Sequence, residues 1–156
     1  MPAANIGIAL NSAIRNAYTE KLKSLISILK NRNIDINAVQ TLGLQRHPLE
    51  IARVFTPISN KIRVLTLLAE AGATLTMAEL NKALNAAVIA GDYDLTQWLI
   101  EHGQKNNILN PNALASIKAT AEEYGQLSGF EKKPSYSRIK YLLDNALKQL
   151  KEPAQS

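Results

Sequence analysis

The feature that most constrains this chain is internal repetition. Leu10-Asn11-Ser12-Ala13-Ile14 returns as Leu84-Asn85-Ala86-Ala87-Val88, and Leu49-Glu50-Ile51-Ala52-Arg53 carries Leu and Ala at the same two offsets between them. A Leu-rich element follows each copy: Leu25–Leu29, Val64–Leu68 and Leu95–Ile100. Each element then runs to a turn former, Asn33, Gly72 or Gly103, residue types that accept the left-handed conformation closing a helix. The repeating unit is therefore read as a short Ala-containing helix, a turn, a longer Leu-rich helix, a stop and a connector. Neither helix can bury its apolar face alone, but stacked copies bury one another's.

Composition agrees with helices packed on helices. Aromatic residues are 5% of the chain against 46% hydrophobic residues overall, so the core must be built from Leu, Ile, Val and Ala. The expected class is all-α. Helices are expected near 8–17, 21–31, 48–55, 60–71, 79–90, 94–102, 112–124 and 135–150. Leu29, Leu68 and Leu99 are expected to be equivalent and buried, as are Ala13, Ala52 and Ala87. Compared with the tight join at Ala90–Leu95, repeats one and two read as carrying about four extra residues each, at Tyr18–Leu22 and Thr56–Ile62. Pro57 would itself end a helix. Residues Tyr124–Ser135, with two Gly, a Pro and two Lys, have the composition of a loop.

His47-Pro48-Leu49-Glu50-Ile51-Ala52 resembles the ankyrin signature T-P-L-H-x-A, and Ala90–Gly103 is similar to the second half of an ankyrin repeat. Asn33–Asn37 and Ala71–Thr76 resemble the tail that joins one such repeat to the next. The resemblance implies a single domain over 1–156, an ankyrin-repeat solenoid. Three clear repeats would cover 5–40, 41–77 and 78–106, with a degenerate fourth, capping repeat at 107–150 and a tail at 151–156. The connector Leu75–Leu80 is short, so a β-hairpin finger there would be stunted. Lys140, Asp144, Lys148 and Lys151 suit the polar outer face of a cap.

Little in the sequence points to chemistry. There is no Cys, which excludes disulfides and thiolate metal sites. His47 and His102 fall in non-equivalent places, one opening a helix and one just before a stop, so a shared metal site is not expected. No nucleophile motif and no phosphate loop occurs. The Glu122-Glu123 doublet would point two ways on a helix, and Trp98 falls in a Leu stripe that reads as core. The chain is accordingly expected not to be an enzyme and to need no cofactor or metal. No stretch approaches a membrane span, and the N-terminal run does not read as a secretory leader.

What the resemblance implies about function is binding of a protein partner through a concave face, as an adaptor, inhibitor or scaffold, by a monomer. Carried onto this chain, the family's variable contact positions fall on Leu44 and Arg46, on Arg15 and Asn16, on Val54 and Phe55, and on Ile89 and Ala90. The competing reading of Val54 and Phe55 is that they turn inward beneath the segment holding Pro57. The alternative function, given a net charge of +5 and a sequence pI near 9.5, is nucleic-acid or anionic-surface binding through Lys132, Lys133, Arg138, Lys140, Lys148 and Lys151. A cytoplasmic location is expected, or the host cytosol if this is a secreted bacterial effector of the kind such lone ankyrin proteins resemble.

Overall fold

The computed structural model describes residues 2–129 and 133–151 and is all-helical, with no strand among them. The helices are α1 (Ala3–Arg15), α2 (Thr19–Asn31), α3 (Pro48–Phe55), α4 (Lys61–Glu70), α5 (Met77–Ile89), α6 (Tyr93–Lys105), α7 (Pro111–Leu127) and α8 (Lys133–Lys151). Each expected helix is present. The chain divides into two compact units, Met1–Thr74 and Leu75–Ser156.

In the first unit α1 pairs with α2, and α3 with α4; α1 also packs on α3 and α2 on α4. Like helices thus stack on like. The buried face of α1 is Ile6, Gly7, Leu10, Ala13 and Ile14, the three-and-four spacing of one helical stripe. Ala13 and Ala52 are fully buried, and each Leu beside them gains about 1.5–3 kcal/mol by leaving water. Gly7 lies against the connector: a Cβ there would sit 1.7 Å from the Leu42 carbonyl oxygen. The connector 32–47 is a series of turns rather than a β-hairpin finger. Asn37 holds it in place, its Nδ2 donating to the Gly72 carbonyl (2.9 Å) and its Oδ1 accepting from the Thr74 amide (3.0 Å). His47 opens α3 with Pro48 in the first turn, and its Nδ1 accepts from the Leu49 amide (3.1 Å).

Helix ends fix the register of the repeat. The amides of Tyr18, Ile34, Ala73, Asp92 and Ile108 each donate to the carbonyl five residues back, at 2.9–3.0 Å. The residue before each of them, Ala17, Asn33, Gly72, Gly91 and Asn107, has positive φ. Two expectations change in consequence. The α1–α2 join is Asn16-Ala17-Tyr18, the same three-residue turn as Ala90-Gly91-Asp92, so repeat one carries no extra residues at Tyr18–Leu22. And α6 does not stop at Gly103. It continues to Lys105 and closes at Asn107, which makes Leu29, Leu68 and Gly103 the equivalent set, with Leu99 matching Leu25 instead. Leu99 is buried as expected, but in another row. Gly103 is small because a Cβ would meet Leu109 Cδ2 at 2.5 Å and Leu80 Cδ2 at 2.7 Å.

In the second unit α5 pairs with α6 and α7 with α8, again with α5 on α7 and α6 on α8. A capping box opens α5: Thr76 Oγ1 accepts from the Glu79 amide (3.2 Å) and Glu79 Oε1 from the Thr76 amide (2.9 Å). Asp92 and Asn110 cap α6 and α7. Of the expected loop at Tyr124–Ser135, the described residues 124–127 and 133–135 are helical and 128–129 are not. α7 runs on to Leu127 because Gly125 lets Tyr136 Cβ approach to 3.3 Å from where its own Cβ would be, and Tyr136 Oη donates to the Ile89 carbonyl (2.7 Å). Two residues expected on the outer face of the cap turn to α7 instead: Asp144 pairs with Lys118 (2.5 Å) and Lys140 with Glu122 (3.2 Å). The hydrogen bond to Asp144 holds the Lys118 ammonium above its ordinary pKa, against a smaller opposing effect of desolvation. The expected tail beyond Lys151 lies outside the described residues.

Leu68 is fully buried, so Leu68→Ala is expected to cost about 2–5 kcal/mol in urea unfolding; a cost below about 1 kcal/mol would contradict the packing. Gly7→Ala drives a methyl into backbone and is expected to cost at least about 2 kcal/mol by the same measurement, whereas a neutral substitution would mean that α1 and the connector are not in contact.

A candidate binding face on the first unit

Pro57 gives the first unit a surface unlike the other joins. The residue before a proline is excluded from helical backbone and driven to extended conformation, and Thr56 obeys with φ −68° and ψ 137°. The left-handed turn that closes α1 and α5 is therefore impossible after α3, and the join widens to Thr56–Asn60. The extra residues expected at Thr56–Ile62 are absent, because Ala52 and Leu68 are as far apart in the chain as Ala13 and Leu29; only the start of α4 is later, at Lys61. Thr56 is the residue that turns inward: it is buried, and its hydroxyl donates to the Ile14 carbonyl at 2.8 Å.

Val54 and Phe55 consequently stay outside. Phe55 is 38% exposed and Val54 44%, which decides against their packing beneath the Pro57 segment. The Arg15 guanidinium carbon lies 3.8 Å from the Phe55 ring centroid and that of Arg46 lies 5.5 Å from it. Both are within the range of attraction between a cation and an aromatic face. Arg15 is steadied by its Nε bond to Asn11 Oδ1 (3.0 Å), and Arg46 lies 3.6 Å from Glu50. Beside this cluster is a pocket of about 280 Å³, walled by Gly7, Ile8, Asn11 and Arg15 of α1, by Gly43, Leu44, Gln45 and Arg46 of the connector, and by Ile51.

The structure thus brings Arg15, Leu44, Arg46 and Phe55 together, with Val54 exposed at the next position. Asn16 does not join them, since its Nδ2 folds back onto the Ser12 carbonyl (2.8 Å) and caps α1. Ile89 is 37% exposed and belongs to the second unit, where it ends α5. Ile8 and Asn11 are the pocket residues that sequence reasoning passed over. Ile8 is 69% exposed, and its spacing to Asn11 and Arg15 puts all three on the face opposite Leu10 and Ala13.

The C-terminal basic residues do not form a comparable patch. Lys140 is paired with Glu122, and Arg138 stacks on Tyr93 at 3.9 Å. Lys133 and Lys148 are exposed, while Lys132 and the side chain of Lys151 lie outside the described residues. Trp98 is half-buried rather than core and stacks on His102 at 4.9 Å between ring centroids. His102 is buried, with Nε2 3.4 Å from the Leu75 amide. Among the described residues no three His, Cys, Asp or Glu side chains group as metal ligands, and no helix is long and apolar enough to cross a membrane. Comparison with protein-family models, with curated proteins and with solved structures gives no match.

Thr56 ties α3 to α1 through one buried hydrogen bond, so Thr56→Val is expected to cost about 1 kcal/mol in denaturant unfolding. No loss would mean that the hydroxyl does not fix the Phe55 end of α3.

Proposed function

We propose that this chain is an ankyrin-type repeat protein without enzymatic activity that binds a protein partner. The observation that carries the reading is the exposed Phe55, held by Arg15 and Arg46 next to an open pocket that Leu44 helps to wall. An aromatic ring costs little conformational entropy to immobilise, and guanidinium adds planar contact area and charge. These are the side chains that dominate binding energy at protein interfaces.

Two further features support it. Helix pairs recur with matching closures, and like helices stack on like within each unit, which is how a repeat protein spends its apolar residues on scaffold and leaves the helix ends for contact. The positions that the ankyrin register marks as variable include four that meet in one place, Arg15, Leu44, Arg46 and Phe55. Two groups that could carry chemistry have structural tasks. His47 caps α3, and Asp92 caps α6. The protein would act by occupying its partner, as an adaptor, inhibitor or scaffold.

A partner captured by the intact chain and identified by mass spectrometry should bind Phe55→Ala more weakly by about 2 kcal/mol or more. The variant should keep its helical circular dichroism and, within about 1 kcal/mol, its stability. Undiminished binding would remove this face from the interface, and unfolding would show that Phe55 is core.

A further inference from the structure

We infer that the partner segment docked at this face is acidic, a peptide whose carboxylates engage Arg15 and Arg46 while an apolar side chain beside them enters the adjoining pocket. The inference rests on the protein-binding reading and adds the chemistry of the partner.

The distribution of charge comes first. Residues 1–74 hold nine Lys and Arg against four Asp and Glu, whereas residues 75–156 hold nine against nine. The whole excess of +5 therefore belongs to the first unit. Within that unit the acids are largely elsewhere or occupied. Glu20 pairs with Lys23 on α2, and Asp35 accepts from the Asn37 amide. Only Glu50 stands at the face, 3.6 Å from Arg46, and among the described residues no carboxylate lies within 4 Å of Arg15.

The geometry concentrates this charge. Two guanidinium groups lie against one aromatic ring, and only one of them, Arg46, has a carboxylate partner, Glu50, among the described residues. A guanidinium stacked on a ring keeps its in-plane N–H groups free, and their fork matches a carboxylate. The pocket next to them has no acidic wall, and beside the polar Asn11, Gln45 and the two arginines it offers Ile8 and Leu44 to an apolar side chain. An acidic peptide fits better than a nucleic acid. Single strands are held by aromatic faces on which bases stack, and the Phe55 ring already carries a guanidinium at 3.8 Å.

The test is selection of short peptides from a random display library on the intact chain. The best binder is then titrated beside its version with every Asp and Glu changed to Asn and Gln, and beside oligothymidylate. The selected peptides should be rich in Asp or Glu next to Leu, Ile or Phe. The amide version should bind about tenfold more weakly, and added salt should narrow the gap. Arg15→Gln and Arg46→Gln, both at exposed positions, should abolish the gap while still binding the amide version. Neutral or basic peptides that depend on Phe55 would overturn the acidic partner and leave the protein-binding reading intact. Oligothymidylate bound more tightly than any peptide, and lost in the same arginine variants, would overturn both. Selection that enriches nothing above a Phe55→Ala control would overturn the peptide proposal, and binding of a captured folded partner through Phe55 would then be the separate check on the broader reading.

Discussion

One backbone hydrogen bond recurs at six reversals among the described residues: an amide reaching the carbonyl five residues back across a single left-handed residue. The six described residues with positive φ all sit in this bond, at Ala17, Asn33, Gly43, Gly72, Gly91 and Asn107. Gly and Asn take that conformation at little cost; Ala17 takes it at roughly 1 kcal/mol, which the packing of α1 on α2 and α3 must offset. Because the closure fixes where each helix ends, it also fixes which Leu and Ala of successive pairs come level. Leu29 and Leu68, whose carbonyls accept this bond, come level in a buried row because of it.

The surface we read as functional arises where that bond is forbidden. Pro57 denies Thr56 the left-handed turn, Thr56 turns in to the Ile14 carbonyl, and the end of α3 is left facing water with Val54 and Phe55. Two arginines from separate segments, α1 and the connector, then settle on the ring. The stack is worth about 0.5–1 kcal/mol at an exposed site, too little to explain as a device for stability. It does hold two cations beside one ring, where an incoming carboxylate would meet them.

The helices were legible because Leu and Ala recur at helical spacing and turn formers punctuate them. The register of the third repeat was not. Gly103 looks like a stop, and Asn107, the real one, is one of two consecutive asparagines that compete for the role. The glycine is instead a packing residue beneath Leu80 and Leu109, a contact no local pattern reveals. Gly125 misled in the same way. Glycine permits both a left-handed turn and a close approach, and sequence alone does not separate them. At the candidate site Arg15, Leu44, Arg46 and Phe55 were singled out only through a resemblance to the ankyrin pattern. Their mutual stacking was not legible, because it depends on where the turns of 32–47 bring Arg46, and those turns replace the finger that the register implies.

The repeat register is the claim on which the binding face stands, and backbone NMR tests it most directly. Scalar couplings and intraresidue amide–Hα contacts report the sign of φ at each residue. Positive φ is expected at Ala17, Asn33 and Asn107, with Gly103 helical and Thr56 extended. A left-handed Gly103 with Asn107 helical, or a left-handed Thr56, would contradict the register.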